Sequence, residues 1–348
     1  MSSKTENLEL NISYTENQRT VSWIDGIDNN FQILDNTIGA VLKGISDSGL
    51  SLATSVDLID DFGSGCTELT TTLQSASSDI KASRIGKVIY LFYGNSSTAS
   101  KVYSFNTSNY ALTDTNIYLP SALSQFNVES DGSTIYLLGG KDGNDLNTTV
   151  YAFDGTTFTS FTTPLSAGKY NASSCLLGSI IYLFGGYNSN GEGVNTIVTY
   201  NFSNEHTEVL SHTLPVPLVD ANCFSQEEFI YILGGYNTST STLQNTVYRL
   251  NVTTKRITTL GITLPVNLKS SNLFITNSRV YLLGGESTSG PITTCYQYDV
   301  SNAVFIEKPE YILPFPVSSS GYCFANYKGY IFGGQSTTTL DSIVRFTE

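Results

Sequence analysis

The chain has 348 residues, a formal net charge of -13 and a charged fraction of 14%, well below the quarter that is usual in soluble domains. This acidic balance argues against a nucleic-acid partner, because binding a phosphate backbone requires clustered Lys and Arg. No run of eighteen apolar residues is present, and the polar start, residues 1–9, lacks the apolar core of a signal peptide. We therefore expect neither a membrane span nor a secretory signal.

The first 49 residues are predicted to attach the chain to a larger body and to oligomerise it. Leu8, Leu10 and Ile12 alternate with polar residues, as in a short strand. Apolar residues then recur at spacings of three and four, at Ile24, Ile27, Phe31, Leu34, Ile38, Val41 and Ile45. This heptad seam over residues 24–45 predicts a coiled-coil α-helix, and Ile at both seam positions favours a homotrimer.

A second interpretation of the same seam remains open. Gly26, Gly39 and Gly44 each weaken a helix by about 1 kcal/mol relative to Ala. The segment could then be a single amphipathic helix packed on the side of the following domain. In either case the Ser-, Thr- and Gly-containing residues 50–63 are predicted to be a linker.

From residue 64 onward the chain repeats one phrase six times, a run of β-branched and aromatic residues that contains Tyr and ends in Gly-Gly, or in Tyr93-Gly94 in the first copy. The last glycines of the copies are Gly94, Gly140, Gly186, Gly235, Gly285 and Gly334. Their spacing of about 46 to 50 residues is typical of radial β-sheet repeats.

A second motif follows each copy at a nearly fixed offset and predicts another strand. It consists of an apolar residue, Tyr, any residue and a second apolar residue, followed by a turn-forming Asn, Asp or Ser. Its copies are residues 102–106, 150–154, 199–203, 247–251 and 295–299, with residues 343–346 as the last. A small-residue strand such as residues 171–177 precedes each Gly-Gly strand, and a polar strand such as residues 205–210 follows the Tyr phrase. Four antiparallel strands per repeat predict a β-propeller blade.

The two phrases together resemble the kelch family, whose blades carry a double glycine after a hydrophobic strand and a Tyr in the next strand. The resemblance covers residues 64–348 and implies an all-β, six-bladed kelch-type β-propeller. The Trp that kelch blades usually carry in their outermost strand is missing, because the only Trp, Trp23, lies outside the repeats. This departure leaves the packing of the outermost strands unassigned and does not change the blade count.

The ends of the repeat region predict how the ring closes. The sixth repeat stops at Glu348, directly after its third strand, so its last blade would expose an unpaired edge. Residues 66–73 resemble outer strands elsewhere, such as residues 256–260. We therefore expect residues near 64–72 to complete the sixth blade and close the propeller.

The five cysteines are predicted to be structural. Cys175, Cys223 and Cys323 stand ten or eleven residues before their Gly-Gly pairs, at an equivalent place in the innermost strand. A buried free Cys behaves as a small hydrophobic residue, and none of the five shows the CxxC spacing of a metal or redox site.

Few residues suit catalysis. His206 and His212, the only histidines, lie in or beside one outer strand, so a His-based triad or metal site is not expected. The Asp142-Gly143-Asn144-Asp145 loop is too short for an EF-hand and reads as a turn. We expect a non-enzymatic protein without a metal or cofactor. The remaining enzymatic hypothesis is a glycan-processing site with acidic catalysis at the propeller axis.

The kelch resemblance implies that a partner docks on loops at one mouth of the propeller. The loops after the Gly-Gly strands supply Asn95, Lys141, Asp142, Asn144, Tyr187, Asn188, Asn190, Tyr236, Asn237, Glu286 and Gln335. Tyr and Asn suit sugars, since a ring stacks on C–H surfaces while an amide pairs with hydroxyls. Tyr187 and Tyr236 could equally cap the blade ends, whereas strand tyrosines such as Tyr182 and Tyr200 are assigned to packing.

The layout of a polar start, a trimeric helix, a linker and a β-rich tip resembles bacteriophage tail fibres and receptor-binding appendages. This resemblance implies a virion protein that binds other virion proteins through its N-terminus and a host-surface glycan or protein through its propeller loops. The alternative is a cytoplasmic kelch scaffold that binds a protein partner.

Overall fold

The computed structural model describes residues 2–5, 10–13, 64–94, 100–276, 279–299 and 302–348. The chain divides into two compact units, residues 1–63 and 64–348. In the first unit Ser2–Thr5 pairs with Leu10–Ser13 in an antiparallel hairpin. Leu10 and Ile12 therefore lie in a strand, as their alternation predicts. The predicted helix over residues 24–45, with its seven seam residues, lies outside the described residues.

The second unit is all-β, as expected. Across its described residues it forms six four-stranded antiparallel sheets, and the one helical segment found there is the 3-10 turn Pro309–Tyr311. None of the described residues belongs to a helix long and apolar enough to cross a membrane. We number the sheets 1 to 6 in the chain order of their first strands.

In sheets 1 to 5 the strands follow one another in space as they do in sequence, and in sheet 6 the strand that comes first in sequence lies at the outer edge. Sheets 1 to 3 consist of Ile80–Ile85, Val88–Tyr93, Lys101–Asn106 and Leu112–Tyr118; Asn127–Ser130, Ile135–Leu138, Tyr151–Phe153 and Phe158–Ser160; and Ser173–Leu177, Ile180–Phe184, Ile197–Asn201 and His206–Val209. Sheets 4 to 6 consist of Asn222–Gln226, Phe229–Leu233, Thr246–Asn251 and Arg256–Thr263; Asn272–Thr276, Arg279–Leu283, Cys295–Asp299 and Val304–Glu307; and Gly321–Ala325, Lys328–Phe332, Ile343–Thr347 and Gly65–Glu68.

Short strands form in the loops within and between these sheets. They are Leu123–Ser124, Lys141–Asp142, Asp145–Leu146, Leu218–Val219, Tyr236–Asn237, Thr242–Leu243, Glu286–Ser287 and Gly290–Pro291. All but the first and fourth follow a Gly-Gly pair, so the loops that were predicted to bind a partner are ordered by their own backbone pairing.

The fourth strand of sheet 6 comes from the opposite end of the unit. Gly65–Glu68 pairs antiparallel with Ile343–Thr347, with Thr67 opposite Arg345. The pairing extends by one further bond, in which the Leu69 N–H donates to the Ile343 carbonyl at 2.8 Å. The segment that was expected to cover the last exposed edge does pair with it.

Apolar side chains fill the spaces between neighbouring sheets. Phe105 of sheet 1 contacts both Tyr330 and Phe332 of sheet 6, with ring centroids 5.3 Å apart in each pair. The strand tyrosines Tyr182 and Tyr200 are buried, as predicted. Burial of such aromatic surface is the main favourable term in folding of this unit.

In the outer strands of sheets 2 and 5, phenylalanine packs where a tryptophan was missing from the sequence. Phe158, in the outer strand of sheet 2, lies 4.6 Å from the ring of Phe153 on the adjacent third strand. Phe305 stacks on Tyr298 at 4.8 Å in the same way in sheet 5. An aromatic pair between the third and fourth strands therefore anchors both of these outer strands.

Small polar side chains join the first strands of neighbouring sheets. Three of them donate to the carbonyl of the residue just before the next first strand: Asn127 Nδ2 to Ala172 O (2.8 Å), Ser173 Oγ to Ala221 O (2.7 Å) and Asn222 Nδ2 to Ser271 O (2.7 Å). Two donate to a carbonyl of the preceding first strand: Cys223 Sγ to Ser174 O (2.8 Å) and Ser225 Oγ to Leu176 O (3.0 Å). These carbonyls lie on the strand edge that has no partner strand, where an unpaired group would cost free energy.

Three cysteines lie in first strands as predicted, but only Cys175 and Cys323 occupy the equivalent place, opposite Tyr182 and Tyr330. Cys223 lies one residue earlier in its strand, opposite Ile232. Cys175, Cys223 and Cys323 lie in the first strands of sheets 3, 4 and 6. All five cysteines of the chain lie in the described ranges as free thiols. Burial raises the pKa of the Cys66 and Cys323 thiols to about 12, so these two stay protonated at neutral pH.

The joint between sheets 4 and 5 gives a test of this polar linkage. Asn222 is buried, donates to Ser271 O and accepts a hydrogen bond from Ser271 Oγ at 2.6 Å. We expect Asn222→Ala to lower the free energy of unfolding by about 1–3 kcal/mol, because two buried partners lose their bonds. Urea unfolding followed by tyrosine fluorescence measures this change. Asn190→Ala, in an exposed loop, is the matched control, and an equal effect of both substitutions would contradict the role of the linkage.

Candidate functional site

The Gly-Gly pairs bring each second strand against the connection that enters the next sheet. Gly185 and Gly186 have φ of 63° and 83°. A Cβ atom on Gly185 would lie 2.0 Å from the carbonyl oxygen of Leu218, so no other residue fits there. The repeated double glycine is thus required by a close backbone approach, and it fixes where the following loop starts.

A ring of left-handed residues precedes the first strands. Gln125, Asn171, Asp220, Ser270 and Ser319 all have φ between 50° and 55°, and we call them the left-handed ring. Their backbones are joined in sequence: Asn171 N–H donates to Gln125 O (3.2 Å), Asp220 N–H to Asn171 O (3.2 Å), Ser270 N–H to Asp220 O (2.9 Å) and Ser319 N–H to Ser270 O (3.2 Å). The first strand predicted over residues 171–177 starts at Ser173 because Asn171 belongs to this ring.

The first repeat contributes a side chain to the ring. The Gln125 N–H donates to a carboxylate oxygen of Asp79 at 2.9 Å, where the other links use a backbone carbonyl. Asp79 also lies 4.0 Å from the Lys81 ammonium. Burial raises the pKa of the Asp220 carboxyl, and the charges of Lys269 and Lys81 oppose that rise. The carboxylates of Asp79 and Asp220 and the ammonium of Lys81 therefore lie near the left-handed ring.

Each loop after a Gly-Gly pair is held to the residue before the ring. The backbone bridges are Lys141 with Ser124, Tyr187 with Tyr170, Tyr236 with Val219, Glu286 with Lys269 and Gln335 with Ser318. This pairing places the first loop residue and the residue before the ring side by side at the same end of each sheet. We call the surface that these two sets form the loop face.

Three tyrosines, two lysines and one glutamate make a polar-aromatic strip on the loop face. The Lys141 ammonium lies 4.1 Å from the centre of the Tyr170 ring, and Tyr170 stacks on Tyr187 at 5.1 Å. The Lys269 ammonium lies 5.8 Å from the Tyr236 ring and 3.2 Å from the Glu286 carboxylate. We call these six residues the loop-face strip. Cation–π contacts of this kind hold the lysines over the rings and leave ring edges accessible.

Tyr187 and Tyr236, which come from different repeats of the strip, interact electrostatically. Burial raises the pKa of the Tyr187 hydroxyl, and the neighbouring Asp220, Tyr170 and Tyr236 groups raise it further. Tyr187 therefore stays a neutral hydrogen-bond donor and acceptor at physiological pH. Tyr170, Tyr187 and Tyr236 are all partly exposed, so their rings both close the sheet ends and face solvent.

The remaining predicted loop residues fall into three groups. Asn188, Asn237 and Gln335 use their side chains within their own loops: Asn188 accepts from Asn190 N–H and Glu192 N–H, Asn237 accepts from Ser239 N–H, and Gln335 donates to Ser336 O. Asp142, Asn144 and Asn190 are exposed. Asn95 lies outside the described residues. The strip therefore includes four of the predicted loop residues: Lys141, Tyr187, Tyr236 and Glu286.

A cavity of about 1140 Å³ lies between the first strands of all six sheets. We call it the central cavity. Lys141 and Asn144 of the loop face line it at one end together with the left-handed ring, and strand residues such as Glu129 and Tyr322 line it further along. The loop face and the central cavity therefore meet at one mouth.

The two histidines lie in and just after an outer strand, away from this mouth. His206 begins the fourth strand of sheet 3, and His212 follows that strand. Within the ranges that the structure describes, no group of three or more His, Cys, Asp or Glu side chains is spaced to hold a metal ion.

Sequence reasoning missed Tyr170, Lys269 and Asp220, which belong to the connections between sheets. The expected residues came from the loops after Gly-Gly alone. The spacing of the repeats carries a signal for Tyr170 and Lys269, because each stands one residue before a member of the left-handed ring. Glu129 gave no signal of its own, since an acidic residue in a first strand reads as solvent-exposed.

Comparison with known proteins agrees with this architecture. The sequence profile of the KLHDC2/KLHL20/DRC7 Kelch-repeats domain matches residues 79–260 and 171–347. A kelch repeat-containing protein of Dictyostelium discoideum is 43% identical over 60 residues, which is 17% of this chain and 9% of that protein. This chain thus matches only a small part of that relative. The profile match covers most of the chain, and the chain belongs to the kelch-repeat family.

Lys169 is an exception to the repeat pattern beside the strip. Equivalent positions in other repeats hold Leu123, Leu218, Leu268 and Val317, all buried, and Lys169 is buried as well. Its ammonium donates to the Thr196 carbonyl at 2.5 Å. Burial lowers the pKa of Lys169 to about 7, so the lysine loses much of its charge on folding at neutral pH.

This shift predicts a pH dependence of stability. Between pH 7 and the ordinary lysine value of 10.5 the unfolded chain binds a proton that the folded chain does not, so stability rises with pH across this window. We expect Lys169→Leu to flatten that rise and to increase the free energy of unfolding at pH 7 by roughly 2–4 kcal/mol. Urea unfolding at pH 7, 8.5 and 10 measures both effects.

The Thr196 carbonyl keeps a partner in this variant, because the Gly185 N–H also donates to it at 3.1 Å. Lys87→Leu, at an exposed site, is the matched control and should leave the pH slope unchanged. A Lys169→Leu variant with the wild-type slope would show that Lys169 keeps its proton on folding.

Proposed function

We propose that the six sheets are the blades of a closed kelch-type β-propeller and that the protein is a non-enzymatic binding module whose loop face docks a partner. The observation that carries this proposal is the loop-face strip, where side chains from several repeats converge on one surface. Loops on a rigid scaffold commonly carry recognition, because they vary without disturbing the core. The pairing of Gly65–Glu68 with the last strand supports closure.

The chemistry of the strip favours a partner with both hydrogen-bonding and apolar groups. Tyr presents a flat apolar ring and a hydroxyl, and it loses little conformational entropy on binding. Lys141 and Lys269 add positive charge to a chain that is acidic overall, so the strip differs from the surrounding surface. A host-surface glycan and a protein segment both meet this description.

The sequence of the N-terminal unit supports a more specific proposal. Residues 1–49 would attach and oligomerise the chain through the heptad seam, residues 50–63 would be a linker, and residues 64–348 would form the propeller. In this form the protein is a trimeric virion or tail appendage that recognises a host-surface receptor and binds other virion proteins through its N-terminus. Three linked weak sites would gain affinity through avidity.

The cytoplasmic scaffold is the second candidate. Membership of the kelch family favours it, because kelch repeats suggest a protein-binding module. The two candidates share the propeller and its loop face, and they differ in the stem and in the location of the protein.

A substitution in the strip tests docking on the loop face. We expect the triple variant Lys141→Ala, Tyr187→Ala, Tyr236→Ala to weaken binding at least tenfold, because it removes a charge and two aromatic anchors. The ligands would first be selected with the full chain from a glycan array and a displayed peptide library. Affinities would then be measured by calorimetry. Glycan or peptide ligands would show which partner class the strip prefers.

Tyr327→Ala is the matched control for this experiment. Tyr327 is 86% exposed and lies in the hairpin between the first and second strands of sheet 6, at the end opposite the Gly-Gly turns. Equal losses in both variants, or a loss only in Tyr327→Ala, would place recognition elsewhere.

The mass of the full chain in solution tests the stem. We expect a trimer by light scattering, and we expect the double variant Ile27→Asp, Ile38→Asp to be a monomer, because charges in a heptad seam cannot be desolvated without cost. Gln32→Asp, outside the seam, should leave the trimer intact. A monomeric wild-type chain would remove the trimeric appendage and leave the scaffold candidate.

A further inference from the structure

The central cavity has one apolar side. Leu273 and Ile275 of sheet 5 and Phe324 of sheet 6 line it, and Ile275 keeps 43% of its surface exposed although it lies in a first strand. The exposed part of Ile275 is not used in packing the sheets together. It presents apolar surface to whatever fills the cavity.

Glu129 lines the cavity from sheet 2. Its carboxylate accepts a hydrogen bond from Ser174 Oγ at 2.6 Å, and the Leu176 backbone N–H also donates to it. Glu129 takes part in none of the six ion pairs found among the described residues. The side chain is half-buried, and its carboxylate has neutral donors but takes part in none of those ion pairs, although a charge removed from water is normally paired.

The repeats show that the fold does not need a charge at this position. The equivalent first-strand residue faces a strand tyrosine in every sheet, and in the other five sheets it is Ser83, Cys175, Phe224, Phe274 or Cys323. Those five side chains are all buried. A glutamate at this place costs desolvation free energy that a Ser or Cys would avoid, and its bonds to Ser174 and Leu176 join sheets 2 and 3 as the other polar links do.

The titratable groups around Glu129 supply no counter-ion. Cys175 lies on the packed strand of sheet 3. Cys223 and Tyr322 have pKa values raised by burial and, to a smaller extent, by the charge of Glu129. On the packed strand of sheet 1, Lys81 lies 4.0 Å from Asp79 and the Arg84 guanidinium donates to Gly86 O at 3.0 Å. On the second strand of its own sheet, the Tyr136 hydroxyl donates to Asp131 at 2.9 Å.

We propose that the central cavity binds a primary ammonium group on an apolar stem, with Glu129 as its counter-ion and the wall of Leu273, Ile275 and Phe324 in contact with the stem. The cavity is large enough for such a ligand and opens at the loop face. The site is separate from the loop-face strip, and its presence does not depend on docking there.

Two sources carry this chemistry. One is a free alkylamine that enters the cavity, and the other is a lysine side chain of a partner bound at the mouth. Both would place an ammonium beside Glu129 and a methylene chain along the apolar wall, and only their size differs.

Protonation of Glu129 makes binding pH-dependent. Burial raises the pKa of the Glu129 carboxyl to about 7 in the folded protein. An alkylammonium keeps its proton to about pH 10, so the ion pair is available above pH 7 and is lost as the pH falls below 7. The affinity should therefore fall about tenfold between pH 8 and pH 6, in proportion to the ionised fraction of one carboxyl group.

Calorimetry on the full chain with n-hexylamine tests the site. We expect binding of hexylamine at pH 8, no measurable binding of hexanol, and at least a tenfold weaker affinity for hexylamine in Glu129→Gln. This substitution keeps the Ser174 bond and the side-chain shape. Glu228→Gln removes the same charge from an exposed hairpin and should bind as the wild type does. Ile275→Ser should weaken hexylamine but leave methylamine unchanged.

The outcomes separate the two sources and can overturn the proposal. Binding of hexylamine together with N-acetyl-lysine methylamide would indicate a lysine side chain as the ligand, and binding of hexylamine alone would indicate a free amine. Equal affinity of Glu129→Gln and wild type, equal binding of hexanol and hexylamine, or no binding of hexylamine at pH 8 would each refute the site. Thermal unfolding of each variant verifies that its fold is intact.

Discussion

The second unit depends on satisfying the free edges of its first strands. Each first strand pairs with a second strand along one edge only, and its other edge carries backbone carbonyls that face the central cavity. Asn127, Ser173 and Asn222 cover such carbonyls in the neighbouring sheet, and the left-handed ring joins the starts of the same strands through their backbones. Adjacent sheets are therefore held together by directional bonds as well as by apolar packing. This linkage fixes the register between repeats, and it creates both the cavity and its mouth.

The same constraint explains why the repeats share so few residue types. Positions that a close backbone approach requires, such as Gly186, are glycine in all six repeats. Positions that only need a small donor vary among Asn, Ser and Cys, because each of them can reach a neighbouring carbonyl. Repeats that look different in sequence thus make equivalent contacts, and a departure from the pattern stands out against them.

Two departures are chemically informative. Lys169 replaces an apolar residue beneath the loop-face strip, and Glu129 replaces a small or aromatic residue in the central cavity. Both side chains are titratable groups whose pKa values burial moves to about 7. Each costs stability that the other repeats avoid. Lys169 lies next to the loop-face strip, and Glu129 lines the central cavity further from the mouth.

The sequence alone determined the repeat, because hydrophobic alternation and the double glycine report local backbone geometry. It identified the strands, the strand tyrosines as packing residues and the pairing of Gly65–Glu68 with the last strand, all of which follow from period and from an unpaired edge. Among the loop residues it found Lys141, Tyr187, Tyr236 and Glu286 but not their neighbours Tyr170 and Lys269. The tertiary structure alone decided these contacts and the position of Glu129, because they join residues from 17 positions apart, as in Tyr170 and Tyr187, to 45 positions apart, as in Glu129 and Ser174. Local sequence patterns carry no information about which side chains such distant segments bring together.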